Sequence, residues 1–142
     1  MAKKIGQISL CMILTVILCA CTKSSDMEKK IRDLDFTVVS TEDISEELQK
    51  HIDERKEEPF TLIYKDGEAM YLIAGYGRQS GGGFSIKVND LYLGEQSVCV
   101  STSLEGPDIG QNAENETEEE GVSFPYIVLK IETMDAPVIF DI

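Results

Sequence analysis

From Pro59 onward, apolar residues recur at every second position in short runs, and glycine or proline breaks separate the runs. A period of two folds as half-buried strands. Breaks this short favour antiparallel neighbours, because parallel pairing needs a crossover of about a dozen residues or more. Phe60 to Tyr64 is one such run. Lys65-Asp66-Gly67-Glu68 carries an Asp-Gly turn signal, and Ala69 to Ala74 pairs back as a hairpin. Phe84, Ile86 and Val88 then alternate with Ser85, Lys87 and Asn89. Val98, Val100, Thr102 and Leu104 share one face of the next strand, and Ile127, Leu129 and Ile131 share one face of Tyr126–Glu132. Val138-Ile139-Phe140 is a last short strand, and Phe36 to Val39 is a first extended segment.

Only one segment has the helical period. Ile44, Leu48 and Ile52 stand four residues apart, and Asp43-Ile44-Ser45-Glu46 offers a capping box. These predict an amphipathic helix over 44–56, with Glu46, Glu47, Lys50, Asp53, Glu54 and Glu57 outward and Pro59 as its stop. The expected fold class is α+β: one amphipathic helix packed on a mainly antiparallel sheet, or on a partly closed barrel, of about six strands.

The first 20 residues follow a different rule. Lys3 and Lys4 precede an apolar stretch from Ile5 to Ala20, and Leu18-Cys19-Ala20-Cys21 places a small residue before a cysteine. The stretch falls short of the roughly 20 residues of a membrane span, and its basic residues lie on the N-terminal side alone. The layout is that of a lipoprotein signal over 1–20, with Cys21 as the lipidated first residue of the processed chain. Cys19 stands where such signals usually carry Ala, Ser, Thr or Val. Two acyl chains hold a protein stably at a membrane. The expected location is therefore the extracytoplasmic face of the cell membrane, with residues 21–35 as a tether and 36–142 as a single domain. Removing Cys11 and Cys19 with the signal, and acylating Cys21, leaves only Cys99. No intrachain disulfide can then form, and Cys99 reads as a buried structural thiol.

The chain carries a formal charge of −13, and losing Lys3 and Lys4 takes it to −15. Such a charge opposes nucleic acid, which attracts basic patches. Between Glu105 and Gly121 the alternation stops. Glu114, Glu116, Glu118, Glu119 and Glu120 crowd together in an acidic loop, 105–121.

No catalytic set emerges. His51 is the one histidine, and no Cys or His partners join it for zinc. Gly81-Gly82-Gly83 lacks the Gly-Lys-Ser/Thr ending of a phosphate loop and leads into a strand. The acidic loop lacks the EF-hand spacing. The expectation is no catalytic residue, no metal and no cofactor.

One combination is more specific. Tyr71-Leu72-Ile73-Ala74-Gly75-Tyr76-Gly77 leads into Gly82-Gly83-Phe84-Ser85-Ile86-Lys87-Val88, and Ser123-Phe124-Pro125-Tyr126-Ile127-Val128-Leu129-Lys130 follows. In this combination the chain resembles the C-terminal domain of the protease complex subunit PrcB family, over about Pro59 to Lys130. Gly82-Gly83-Phe84-Ser85 stands for that family's glycine-rich step into an aromatic-Ser strand. Phe124-Pro125-Tyr126 stands for its Tyr-Pro-Tyr-like step, with Phe for the leading Tyr. The long acidic insertion departs from the family's compact pattern. On residue chemistry, Gly82, Gly83, Phe84, Phe124, Pro125 and Tyr126 are fold-keeping positions: turn glycines and strand-opening aromatics. The resemblance implies a non-enzymatic lipoprotein, an accessory or binding subunit of an extracytoplasmic complex that assists a surface protease. The alternative reading is an envelope lipoprotein that binds a small ligand or a cation such as calcium.

Overall fold

The computed structural model describes residues 27–107 and 121–142. Strands β1 (Arg32–Asp33) and β2 (Thr37–Val38) precede a 3-10 turn (Thr41–Asp43) and the helix α1 (Glu46–Asp53). Then come β3 (Pro59–Asp66), β4 (Ala69–Tyr76), β5 (Gln79–Ser80), β6 (Ser85–Leu93) and β7 (Val98–Glu105). Beyond residue 121 lie β8 (Val122–Ser123), β9 (Tyr126–Glu132) and β10 (Val138–Asp141). The strands form one sheet in the order β1-β6-β7-β10, a second in the order β2-β9-β4-β3, and the ribbon β5-β8.

The expected α+β class is corrected here. Half of the described residues are in strands, the one α-helix is short, and the strands form separate sheets with no closed barrel. The cause lies in β4 and β9, which are apolar on both faces. Met70, Leu72, Leu129 and Ile131 face one way, into a core with Leu91, Val98 and Val100 of the first sheet. Ile73 and Val128 face the other way, against Leu48 and Ile52 of α1. A sheet that is apolar on both faces needs cover on both. The first sheet supplies one layer and α1 the other. Leu34, between β1 and β2, enters the larger core where the chain passes from one sheet to the other.

α1 is shorter than the spacing predicts. Ile44 is extended, and Ser45, not Asp43, is the N-cap, its side chain accepting the Leu48 N–H at 3.3 Å. Asp43 is spent in the 3-10 turn. At the other end, Arg55 and Glu58 turn tightly onto Ile52 and Arg55, and Pro59 then drives its predecessor toward extended backbone. An eight-residue helix is marginal alone in water. Burial of Leu48 and Ile52, together roughly 3–6 kcal/mol, is what holds it.

Two irregularities depart from simple alternation. β6 carries a bulge between Val88 and Asp90. Before it the even positions face inward, as Val88 does. After it the odd positions Leu91 and Leu93 do, opposite Val100 and Val98. The bulge lets one nine-residue strand keep its apolar side chains on the core despite the slip. Second, β10 pairs parallel to β7, not antiparallel. It arrives from β9 in the other sheet, so its direction is not set by a hairpin.

Candidate functional site

The sandwich has two distinct ends. At the entry end, the first described residues dock onto the β6–β7 turn. The Glu28 carboxylate accepts the N–H groups of Gln96 and Ser97 at 2.8 and 3.1 Å. Those bonds, the one from Gln96 first, hold its carboxyl below the ordinary 4.5. The Tyr92 hydroxyl donates to the Glu28 carbonyl at 2.7 Å. Lys30 reaches both Asp33 and Asp90 at 2.8 Å and lies 5.0 Å from the centre of the Tyr92 ring. Its two carboxylate partners push its pKa up. Tyr92 and its cross-strand neighbour Cys99 are buried, and burial pushes the Tyr92 phenol up. Cys99 is a free, buried thiol.

Of the tether expected over 21–35, residues 28–34 are therefore fastened to the domain, and 21–26 lie outside the described residues. The signal over 1–20 and Cys21 lie outside them too. The sequence carried no recognisable cue for Glu28 and Lys30, because isolated charges in a polar stretch look the same whether solvated or bound.

An open groove also lies at this end, lined by Phe36, Glu68, Lys130, Glu132, Thr133 and Asp135 among others. Its charged lining is mixed, with Arg32 and Lys130 among Asp35, Glu68, Glu132 and Asp135.

At the opposite end the motif residues gather. The β5–β8 ribbon is locked by Gly81 N–H to Gly121 O at 2.8 Å and by the Ser123 hydroxyl to Gly81 O at 2.7 Å. Gly83 has φ +77°, and a Cβ there would sit 2.9 Å from Pro107 Cβ, so glycine is needed for both conformation and space. Gly82 does not share that left-handed backbone. Phe84 is half-buried just before β6. Phe124 lies under Lys56, whose Nζ is 5.4 Å from the ring centre. Pro125 offers its carbonyl to the Tyr76 N–H at 2.9 Å, and no peptide bond among the described residues is cis.

Tyr126 opens β9 and packs under α1, its hydroxyl 3.4 Å from the Gln49 side-chain oxygen. Phe84 and Tyr126 stand at the starts of β6 and β9. They open strands of different sheets, because β9 belongs with β4 and β6 with β7. The two sheets are tied at this end by Tyr76 and Thr102, whose hydroxyls are 2.6 Å apart. Residues 108–120, most of the expected acidic loop, lie outside the described residues, and Pro107 and Gly121 flank them here.

Among the described residues, no group of three or more His, Cys, Asp or Glu is arranged to hold a metal ion. His51 is half-exposed on α1, 3.9 Å from Glu54.

Residues 70–132 match the family model described as PrcB C-terminal. Over these residues the chain is similar to that family. No curated protein and no solved structure matches the chain. The PrcB C-terminal segment runs from β4 to the end of β9, and so supplies the central strands of both sheets, β4 and β9 in one, β6 and β7 in the other. Every edge strand of those two sheets, and α1, comes from the flanks. The expected resemblance began at Pro59; the match begins inside β4, leaving β3 outside it.

Proposed function

We propose that this protein is a non-enzymatic accessory subunit, held on the extracytoplasmic face of the cell membrane by a lipid on Cys21. Its partner is a protein complex that includes a surface protease. The observation that supports this reading is the PrcB C-terminal match over residues 70–132, a family that suggests in general terms an accessory protein of a protease complex.

The entry end gives the reading a geometry. Five residues lie between Cys21 and Met27, a reach of about 20 Å, so a lipid on Cys21 would keep the β6–β7 turn near the bilayer. The β6–β7 ladder then extends about 25 Å from that turn to Ser85 and Glu105. The family motifs thus lie at the end away from the membrane.

Affinity purification from gently solubilised membranes tests the proposal. A protease-containing complex should co-purify, and Cys21→Ser should release the protein from the membrane fraction. Recovery of the protein alone would overturn the partner, and a Cys21→Ser variant that stays in the membrane would overturn the anchor.

A further inference from the structure

We propose that the free edge of β3 binds an extended, basic segment of the partner protein as an added β-strand. This rests on the accessory-subunit reading for the existence of a partner, but the surface itself is read from the geometry of β3.

The edges of the two main sheets differ greatly in length. β1 and β2 have two residues each and β10 has four, whereas β3 has eight and pairs without a break along β4. Which of its groups are free follows from the far side of β4. The Tyr76 N–H bonds Pro125 O, and Glu68 O accepts the Thr133 N–H, so the even-numbered residues of β4 face β9. Its odd-numbered residues face β3, where they meet Phe60, Leu62, Tyr64 and Asp66. The main-chain N–H and C=O groups of Thr61, Ile63 and Lys65 therefore point outward, and none has a partner among the described residues. Pro59 shares that outward phase, where its missing N–H costs the ladder nothing. Three outward residues in a row are what an incoming strand pairs with.

The side chains agree. Ile63 is 42% exposed on one face of β3, while Phe60, Leu62 and Tyr64 are only half-buried beneath α1 on the other. An added strand would cover both sets at once. Charge selects the occupant. Glu47 bonds the Tyr64 hydroxyl, Asp66 ends the strand, and Glu57, Glu58 and Glu68 flank it in the chain, whereas the neighbouring Lys56 is taken up by Asp53 and the Phe124 ring. Lys65 is the one basic residue on the strand, and it is turned toward the Met134 carbonyl. A second copy would bring the same acidic border and the same strongly negative net charge against the first. A segment rich in Lys or Arg meets complementary charge.

A photo-reactive side chain at Thr61, in the full-length protein in its own membrane, tests this. The cross-link is expected in one non-self protein, within a stretch that carries several Lys or Arg. Ile63→Pro removes an outward N–H that the fold does not use. It should lower the cross-link yield at least tenfold while the melting temperature moves by only a few degrees. Should that variant fail to fold, a synthetic peptide of the cross-linked stretch replaces it. N-methylation of alternate amides should abolish its binding to the wild-type protein. A folded Ile63→Pro variant that cross-links normally, an N-methylated peptide that binds equally well, or a cross-link to a second copy would each overturn the proposal. A partner that co-purifies but never cross-links from Thr61 leaves the accessory-subunit reading standing and removes the edge. No co-purifying partner at all removes that reading instead.

Discussion

The two ends of the sandwich are held by different chemistry. The entry end is fastened by charged and polar side chains: Glu28 on the β6–β7 turn, Lys30 between Asp33 and Asp90, Tyr92 on the Glu28 carbonyl. The motif end is fastened by close backbone approach and packing: Gly83 against Pro107, Gly77 against Pro59, Phe124 under Lys56. Exposed ion pairs are individually weak and respond to pH and salt. Close packing leaves no room for a side chain and does not respond to either. The entry end should thus be adjustable and the motif end rigid.

Paired glycine substitutions should show the largest contrast. Gly77, at the motif end, has φ +72°, and a Cβ there would sit 2.9 Å from the Pro59 backbone nitrogen. Gly67, in the β3–β4 turn at the entry end, has φ +61° with nothing within 4 Å of that position. Gly67→Ala is expected to cost about 1–2 kcal/mol, the price of a left-handed alanine. Gly77→Ala should cost about 3 kcal/mol or more, because the overlap adds to the same strain. Urea denaturation measures both. Equal costs would break the claim that the motif end is the tighter.

A smaller contrast lies in two tyrosine hydroxyls. Tyr76→Phe leaves the buried Thr102 hydroxyl without its partner and should cost about 1–3 kcal/mol. Tyr92→Phe removes a bond to a main-chain carbonyl that water can reach once residues 28–34 lift from the sheet. It should cost about 1 kcal/mol or less and show mainly as faster proteolysis near Lys29 and Lys30. Reversed ranks in thermal unfolding would contradict the comparison.

The smallest effect is a pH response confined to the entry end. The Glu28 carboxyl titrates lower in the folded protein than its ordinary 4.5. Its contribution is therefore fully present above 4.5 and lost as the pH falls through the lower folded value. Amide exchange at Gln96 and Ser97 should accelerate over that acid range while exchange at Gly81 does not. Glu28→Gln should remove the dependence. An equal acid response at Gly81 would show that the whole domain loosens instead.

The same contrast explains what could be read in advance. The strands β4, β6, β7 and β9 were legible because alternation and continuous apolar runs are local signals of burial, as in Met70–Ala74 and Ile127–Ile131. The family motifs were legible because glycine and proline at set spacing record backbone demands. The second layer was not legible, since nothing local tells whether Val98 and Leu129 line one sheet or face each other across two. The Asn89 bulge hid the phase change between Val88 and Leu91. The sequence does not separate Ser45 from Asp43 as the cap, because both are good caps and only the docking of Ile44 and Leu48 decides between them. Glu28 and Lys30 look like tether in the sequence because their partners across the fold lie 60 or more residues away.

The central proposal is directional: a lipid on Cys21 would put the entry end at the membrane and the motif end away from it. Single spectroscopic labels at Glu95, beside the β6–β7 turn, and at Glu105, at the far end of β7, test it in vesicles carrying a headgroup quencher. The account predicts strong quenching at Glu95 and much weaker quenching at Glu105, with both lost in Cys21→Ser. Equal quenching at the two positions, or stronger quenching at Glu105, would contradict it.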